Sequence, residues 1–489
     1  MRRVLALGVA GAVAIGASSW WVAAVPVTFR QDRPGVVEWF PLGGAVPRVA
    51  YYAGLGALIF SWLMVGRRLL LGERIPSAQI GRYAICCALP LLLALPFGRD
   101  MWAYAAQGNL FHHGLDPYAH GPADLPGAYS DEVSLVWRRS TTPYGPLWML
   151  LSRAAVPASG EHVLLTALLL RLPAFAGLLL WIRALPKLAA NVGARADVAL
   201  WLGAACPLTV VLGIGGGHND LLMAGLMVAG VALASRGGPL PELALAGAVV
   251  GLAVAVKSPA AVALAFTVPL WLHARHFPMT ARRVLVAGAV ALSGALVAFA
   301  VITAVSGLGL GWTRQASTDV TVVSWLSLPT ALAMLSKVVT GTLDGATAVD
   351  GTMRAIRAVG EAVAAATVAA LSWMAFRRAP LAWLTIALAA VAVLVPAVQP
   401  WYFCWALAFA GLVVARRSAL LALATLVVAA VVLVRPNGQG LEMKPAALPI
   451  IAGSLFVCWL ALRAVPGRSA PDDDRTEHAR AEVRADDGT

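Results

Sequence analysis

The chain has 489 residues, of which 60% are hydrophobic and only 12% charged, with a formal net charge of +13. Soluble domains carry roughly 25% charged and 45–50% apolar residues, so a soluble fold is excluded, and recurrent apolar runs near the length of a membrane span indicate an all-α polytopic membrane protein. The positive charge fits basic cytoplasmic loops beside anionic lipid, and no long basic stripe interleaved with aromatics points to nucleic acid.

In chain order, the first span is expected over residues 4–25, behind Arg2-Arg3. That stretch also has the charge and apolar run of a signal peptide, but the many later spans favour a retained helix. Residues 26–47 form an outer loop, and a span over 48–65 returns to Arg67, Arg68, Arg74 and Arg82, which the positive-inside rule places in the cytoplasm. The span over 83–97 then delivers Arg99 and Asp100 to the outer face. Residues 98–160 make a large outer loop in which the apolar piece 147–155 is too short to span and is read as interfacial. Spans over 163–185, 197–214 and 221–235 alternate between Arg183-Lys187-Arg195 inside, Gly215-Gly216-Gly217-His218-Asn219-Asp220 outside, and Arg236 inside. A hairpin over 242–256 and 259–274 carries Lys257 at its outer tip and leads to Arg275, Arg282 and Arg283. The span over 284–305 opens a second outer loop, 306–352, with Trp312, Arg314, Asp319, Trp325 and an interfacial piece at 326–339. Spans over 353–376 and 381–398 flank Arg377-Arg378 and lead out to Gln399-Pro400-Trp401-Tyr402. A further span stops at Arg416-Arg417, and two more, at 418–434 and 446–464, complete one transmembrane domain over 1–465. The expectation is about 14 spans with both termini cytoplasmic. The polar tail 466–489, with Asp472-Asp473-Asp474, is expected to be disordered.

An Arg-Asp pair at the lip of a membrane helix is costly unless it faces water or a cavity, so Arg99 and Asp100 head the functional candidates. Asp100 is otherwise a helix cap or the partner of Arg99. The same loop holds Trp102-Ala103-Tyr104-Ala105-Ala106-Gln107-Gly108, Gly114-Leu115-Asp116-Pro117-Tyr118 and Pro143-Tyr144-Gly145-Pro146-Leu147. Asp116 before Pro117 reads first as a turn. Tyr144 is either an interfacial anchor or a sugar-stacking platform. His112 and His113, adjacent on a helix, point about 100° apart and do not face one ion. His218-Asn219-Asp220 either caps a helix start or contacts substrate. Arg171 falls inside the hydrocarbon, where a cation costs about 2.5–3.5 kcal/mol unless paired or wet. It either snorkels or stabilises an anion, and Lys257, at an outer tip against the positive-inside trend, poses the same choice. Gln399, Trp401 and Tyr402 are either part of an aromatic belt or pocket lining. The five cysteines lie in apolar runs without metal-ligand spacing. No Gly-rich phosphate loop, zinc pair or nucleotide-binding unit is present.

The order Arg-Asp, Tyr-Ala-Ala-Gln-Gly, Gly-Leu-Asp-Pro-Tyr, Pro-Tyr-Gly-Pro-Leu resembles the actinobacterial polyprenol-phosphomannose-dependent alpha-1,6-mannosyltransferases, of the GT-C superfamily of integral-membrane glycosyltransferases. The resemblance implies a GT-C-type bundle in a bacterial plasma membrane with its active site on the outer face. It implies a polyprenyl-phosphate mannose donor and a lipid-anchored alpha-1,6-mannan acceptor, as in lipomannan and lipoarabinomannan synthesis. Asp100 would be the catalytic base in an inverting transfer. Arg99, Tyr104, Gln107, Asp116, Tyr118, Tyr144, Arg171, His218, Asp220, Lys257, Gln399, Trp401 and Tyr402 are the candidate substrate contacts. No cofactor and no metal ligands are expected, and metal dependence stays open. One departure stands out: the family's aromatic-Ser-Tyr after the Asp is Trp102-Ala103-Tyr104 here, without the hydroxyl. Two other readings remain, a GT-C enzyme of another linkage or sugar and a transporter or lipid flippase. The latter predicts internal repeats and polar residues at the bilayer midplane, whereas these polar motifs gather at outer helix ends.

Overall fold

The computed structural model describes residues 1–27, 38–315, 322–340, 349–438, 440, 444 and 447–464. Asp319, residues 28–37 of the first expected loop and the tail from 465 onward lie outside the described residues. Within them the chain is helical, with a single isolated bridge between Val434 and Gly440 as its only extended pairing.

The long helices α1 (Arg2–Val22) and α2 (Ala45–Leu70) pack against each other along their length. The stretch expected as one span at 83–97 is shorter and broken. It forms α3 (Ser77–Ala88) and a tight helical turn, Leu89–Leu93, in which Pro90 withdraws an amide donor from the α-helical ladder. Then comes α4 (Asp100–His112), inside the segment read as an outer loop, buried without interruption from Met101 to Phe111. It lies against α5 (Pro146–Ala158), the piece expected to be interfacial. α6 (Val163–Leu169) leads almost directly into α7 (Arg171–Asn191). The span expected over 197–214 is also interrupted. α8 (Ala196–Leu202) stops at Gly203, and after Pro207 the chain winds as a π-turn over Leu208–Gly215, with Gly216 N–H donating to Val211 O at 3.0 Å.

α9 (Asp220–Ala234), α10 (Leu240–Val254), α11 (Ala261–Ala274) and α12 (Ala281–Ser306) follow as a packed group. α10 and α12 approach closely because Gly247 and Gly251 face the backbone of Ala291 and Ala295, where any side chain would collide. The chain is completed by α13 (Leu328–Val339), α14 (Gly351–Ala375), α15 (Pro380–Leu394), α16 (Cys404–Val413), α17 (Arg417–Leu433) and α18 (Ala447–Ala464).

Five helical stretches among the described residues are long and apolar enough to cross a membrane: Arg2–Val22, Ala45–Leu70, Val163–Asn191, Ala281–Ser306 and Gly351–Ala375. Their outward faces are apolar; α12 alone exposes Leu285, Leu292, Leu296, Val297, Val301 and Val305. In water such a belt would be an aggregation surface, whereas in hydrocarbon it is solvated and the helix interiors satisfy their own amides. This is a helical membrane protein. Charged residues collect at helix ends: Arg195 pairs with Asp197 at 2.7 Å and donates to Glu73 O, joining the loop after α2 to the start of α8. The α10–α11 hairpin carries Lys257 at one end and Leu240 and Ala274 at the other, roughly 20 Å away by helical rise.

Candidate functional site

A cavity of about 1040 Å³ opens where the start of α4, the loop before α5, the turn before α9, the α10–α11 tip and the start of α16 meet. Each wall is placed by a local backbone requirement. Gly145 N–H donates to Val256 O at 3.1 Å and Leu147 N–H to Ala255 O at 2.9 Å, so the Tyr144 loop is stitched to the turn that carries Lys257. Only glycine permits this, since a Cβ on Gly145 would lie 2.3 Å from Ala255 O. Gly217, at φ +67°, lets the chain turn tightly against Met101 and into His218.

Asp100 is the first residue of α4, and its carboxylate makes no hydrogen bond to a described residue; the nearest charged or imidazole group is His218 Nδ1, at 3.9 Å. The side chain is 26% exposed, toward the cavity. Burial pushes its pKa up to about 6, Lys257 pulls it back and Asp220 pushes it further up. A carboxylate in this range is still mostly ionised at neutral pH, yet basic enough to take a proton from a hydroxyl in a transition state. Arg99 does not neutralise it. Its Nη1 donates to Glu132 O at 2.9 Å and stands 3.8 Å from the Glu132 carboxylate, which accepts from Val27 N–H.

Lys257 Nζ donates to both carboxylate oxygens of Asp220, at 2.9 and 3.0 Å, and Trp405 Nε1–H donates to the same group at 2.7 Å. The ammonium sits over the Tyr402 ring at 4.4 Å, with Tyr144 at 5.9 Å. Burial works against the charge, but Asp220, with Tyr402 and Tyr144, overrides it and holds Lys257 above the ordinary lysine range. His218 stacks on Trp401 at 3.7 Å between ring centroids, and neither ring nitrogen finds a hydrogen-bond partner among the described residues. Burial foremost, then Lys257, pushes it well below the usual histidine range, so it stands neutral. The amide oxygens of Gln107 and Gln399 are likewise buried without a partner. The cavity thus combines one unpaired carboxylate, two braced cations, unspent hydrogen-bonding groups and flat aromatic rings, a set suited to a polyhydroxylated substrate with an anionic group.

Of the sequence candidates, Arg99, Asp100, Gln107, Tyr144, His218, Lys257, Gln399, Trp401 and Tyr402 line this cavity. Asp220 stands behind Lys257. Tyr104 packs edge-on against Tyr144 at 5.0 Å, and Tyr118 donates through its hydroxyl to Tyr144 O. Asp116 accepts from Tyr118 N–H at 2.8 Å, the turn that its place before Pro117 suggested. Arg171 is not brought into the cavity. Fully buried, it donates to Ile214 O, Gly215 O and Leu92 O and so closes the broken ends of the π-turn and the turn after α3. Its charge is met by carbonyl dipoles rather than by snorkelling or by an anion. Glu132, which holds Arg99, and Trp405, which holds Asp220, were not singled out from the sequence. Trp405 had a signal, one helical turn beyond Trp401; Glu132 had none near Arg99. Among the described residues no group of three or more His, Cys, Asp or Glu side chains is placed to hold a metal ion.

Residues 5–274 match the family model described as Alpha-(1->6)-mannopyranosyltransferase, N-terminal domain, and residues 329–464 match the MptB C-terminal domain. The chain is 35% identical to alpha-(1->6)-mannopyranosyltransferase A of Mycobacterium tuberculosis, over 94% of its own length and 90% of that protein. It is 31% identical to alpha-(1->6)-mannopyranosyltransferase A of Corynebacterium glutamicum, over 59% of this chain and 62% of that one. With alpha-(1->6)-mannopyranosyltransferase B of the same organism it shares 26% identity, over 82% of this chain and 71% of the relative.

Proposed function

The chain belongs to the alpha-(1->6)-mannopyranosyltransferase family, and from that premise we propose that it moves mannose, with inversion, from a polyprenyl-phosphate donor to an alpha-1,6-mannan acceptor in lipomannan- and lipoarabinomannan-type lipoglycan synthesis. The observation that carries this reading is the unpaired Asp100 carboxylate on a cavity whose other walls hold Lys257 and Arg99. In the proposed step the acceptor 6-hydroxyl gives its proton to Asp100 as its oxygen attacks the anomeric carbon. The bond from that carbon to the phosphate oxygen breaks, and polyprenyl phosphate leaves with the electron pair. Lys257 and Arg99 stabilise the charge that develops on the phosphate, the largest kind of contribution a preorganised site makes. A single displacement needs one base, unlike the paired carboxylates of hydrolases.

The reading places the protein in the plasma membrane as a GT-C-type bundle of about 14 spans. Both termini and the tail 466–489 face the cytoplasm, and the cavity opens outward. It is supported by the way His218, Lys257 and Trp401, expected at one set of helix ends, line one cavity with Asp100. The donor is tested in membranes supplied either with radiolabelled lipid-linked mannose or with GDP-mannose while lipid-linked donor synthesis is blocked. Transfer from the lipid donor alone is expected. Efficient direct use of GDP-mannose would overturn the donor class, and a linkage other than alpha-1,6 in the product would overturn the 6-hydroxyl as the attacking group.

A further inference from the structure

At the end of the α10–α11 hairpin far from Lys257 lies a groove of about 460 Å³ that the transfer step does not use. Arg275, Arg282 and Arg283 form its polar wall, and Trp271 and Phe277 its floor. The floor belongs to a small apolar cluster separate from the main core. Arg275 is fixed in place. Its Nη1 donates to Gly237 O at 3.0 Å and Gly238 O at 2.9 Å, and its guanidinium lies 4.5 Å from the Phe277 ring centre. Its Nε–H is shielded and has no acceptor among the described residues. Arg283 also lies over the Phe277 ring, 4.9 Å from its centre, and Arg282 is exposed. The neighbouring carboxylate, Glu242, is already paired with Arg236. Three cations therefore share one groove with no carboxylate among the described residues to balance them. Beside them α12 turns the exposed Leu285 and Val286 outward, the start of the apolar belt.

We propose that this groove binds the phosphate headgroup of an anionic phospholipid, whose acyl chains lie along the apolar start of α12. Guanidinium forks match phosphate oxygens in geometry and charge. Trp271, buried with its indole N–H donated to Gly238 O at 2.8 Å, gives the groove a fixed apolar floor. Position and charge together select a lipid: a free phosphate would gain from the arginines but nothing from Leu285 and Val286. The proposal does not depend on the catalytic reading, because it concerns the opposite end of the hairpin and is read by binding.

The test uses the purified full-length chain in detergent, titrated with phosphatidylglycerol or phosphatidylcholine and read by native mass spectrometry. The wild type is expected to retain phosphatidylglycerol at least tenfold better. Arg282→Gln/Arg283→Gln should lose most of that preference, the scale expected for two basic residues at an anionic surface. Arg416→Gln/Arg417→Gln, an equally basic pair at the start of α17, should keep it. Equal retention of the two lipids by the wild type overturns the proposal, as does equal loss in both double variants, which would make the effect one of general charge. Displacement of the lipid by inorganic phosphate would make the ligand phosphate alone.

Discussion

Asp100 sits at the start of a helix, where the backbone dipole favours its charge, yet burial dominates and brings its pKa up to about 6. A base must be deprotonated, so transfer should fall about tenfold per pH unit below 6 and level off above it. Initial rates from pH 4.5 to 8 check this; a flat profile across pH 6 would remove Asp100 from proton transfer. Lys257 calls for a paired experiment. Lys257→Met leaves the buried Asp220 carboxylate with Trp405 alone, and breaking a buried pair costs about 3–5 kcal/mol, so abundance should drop along with turnover. Lys257→Met/Asp220→Asn should restore abundance while turnover stays about 10²–10³ lower. Recovery of turnover in the double variant would confine Lys257 to holding the fold. These two residues were legible because a charge at the edge of an apolar run is costly and stands out. Glu132 was not, since its partner lies 33 residues away and nothing local marks the pair.

The Tyr144 loop reaches Lys257 only through the glycine step at residue 145, where the α10–α11 tip is in backbone contact. Gly145→Ala places a methyl against Ala255 O and should push Tyr144 out of the cavity. Overpacking of this kind costs about 1–3 kcal/mol. Turnover should fall at least tenfold with a smaller change in folded yield by size-exclusion chromatography, whereas unchanged turnover would mean that the Tyr144 loop does not shape the site. Most helices could be read from apolar runs, and their breaks follow from named residues: Pro90 ends α3 and Pro207 opens the π-turn. α4 was hidden for a different reason. It is buried on every side from Met101 to Phe111, so it lacks the polar face by which periodicity reveals a helix.

The cavity is assembled from distant parts of the chain, with Trp405 and Asp220 separated by 185 residues, and no local pattern specifies that meeting. What the sequence did contain was parity: basic loops alternating with polar motifs put Asp100, His218, Lys257 and Trp401 at one set of helix ends. The orientation of that end is checked by labelling intact cells with a membrane-impermeant maleimide. Asp124→Cys should react, and Arg74→Cys should react only after permeabilisation; the reverse would invert the topology and move the cavity to the cytoplasm. The central claim, a transferase cavity with Asp100 as its base, is tested most directly by Asp100→Asn. Asparagine keeps the shape but accepts no proton at neutral pH, and it removes a partly shielded charge that has no hydrogen-bond partner among the described residues. The variant should insert normally, melt no lower than the wild type and still bind polyprenyl-phosphate mannose, yet transfer no mannose to the acceptor. Near-normal transfer by Asp100→Asn would contradict the account.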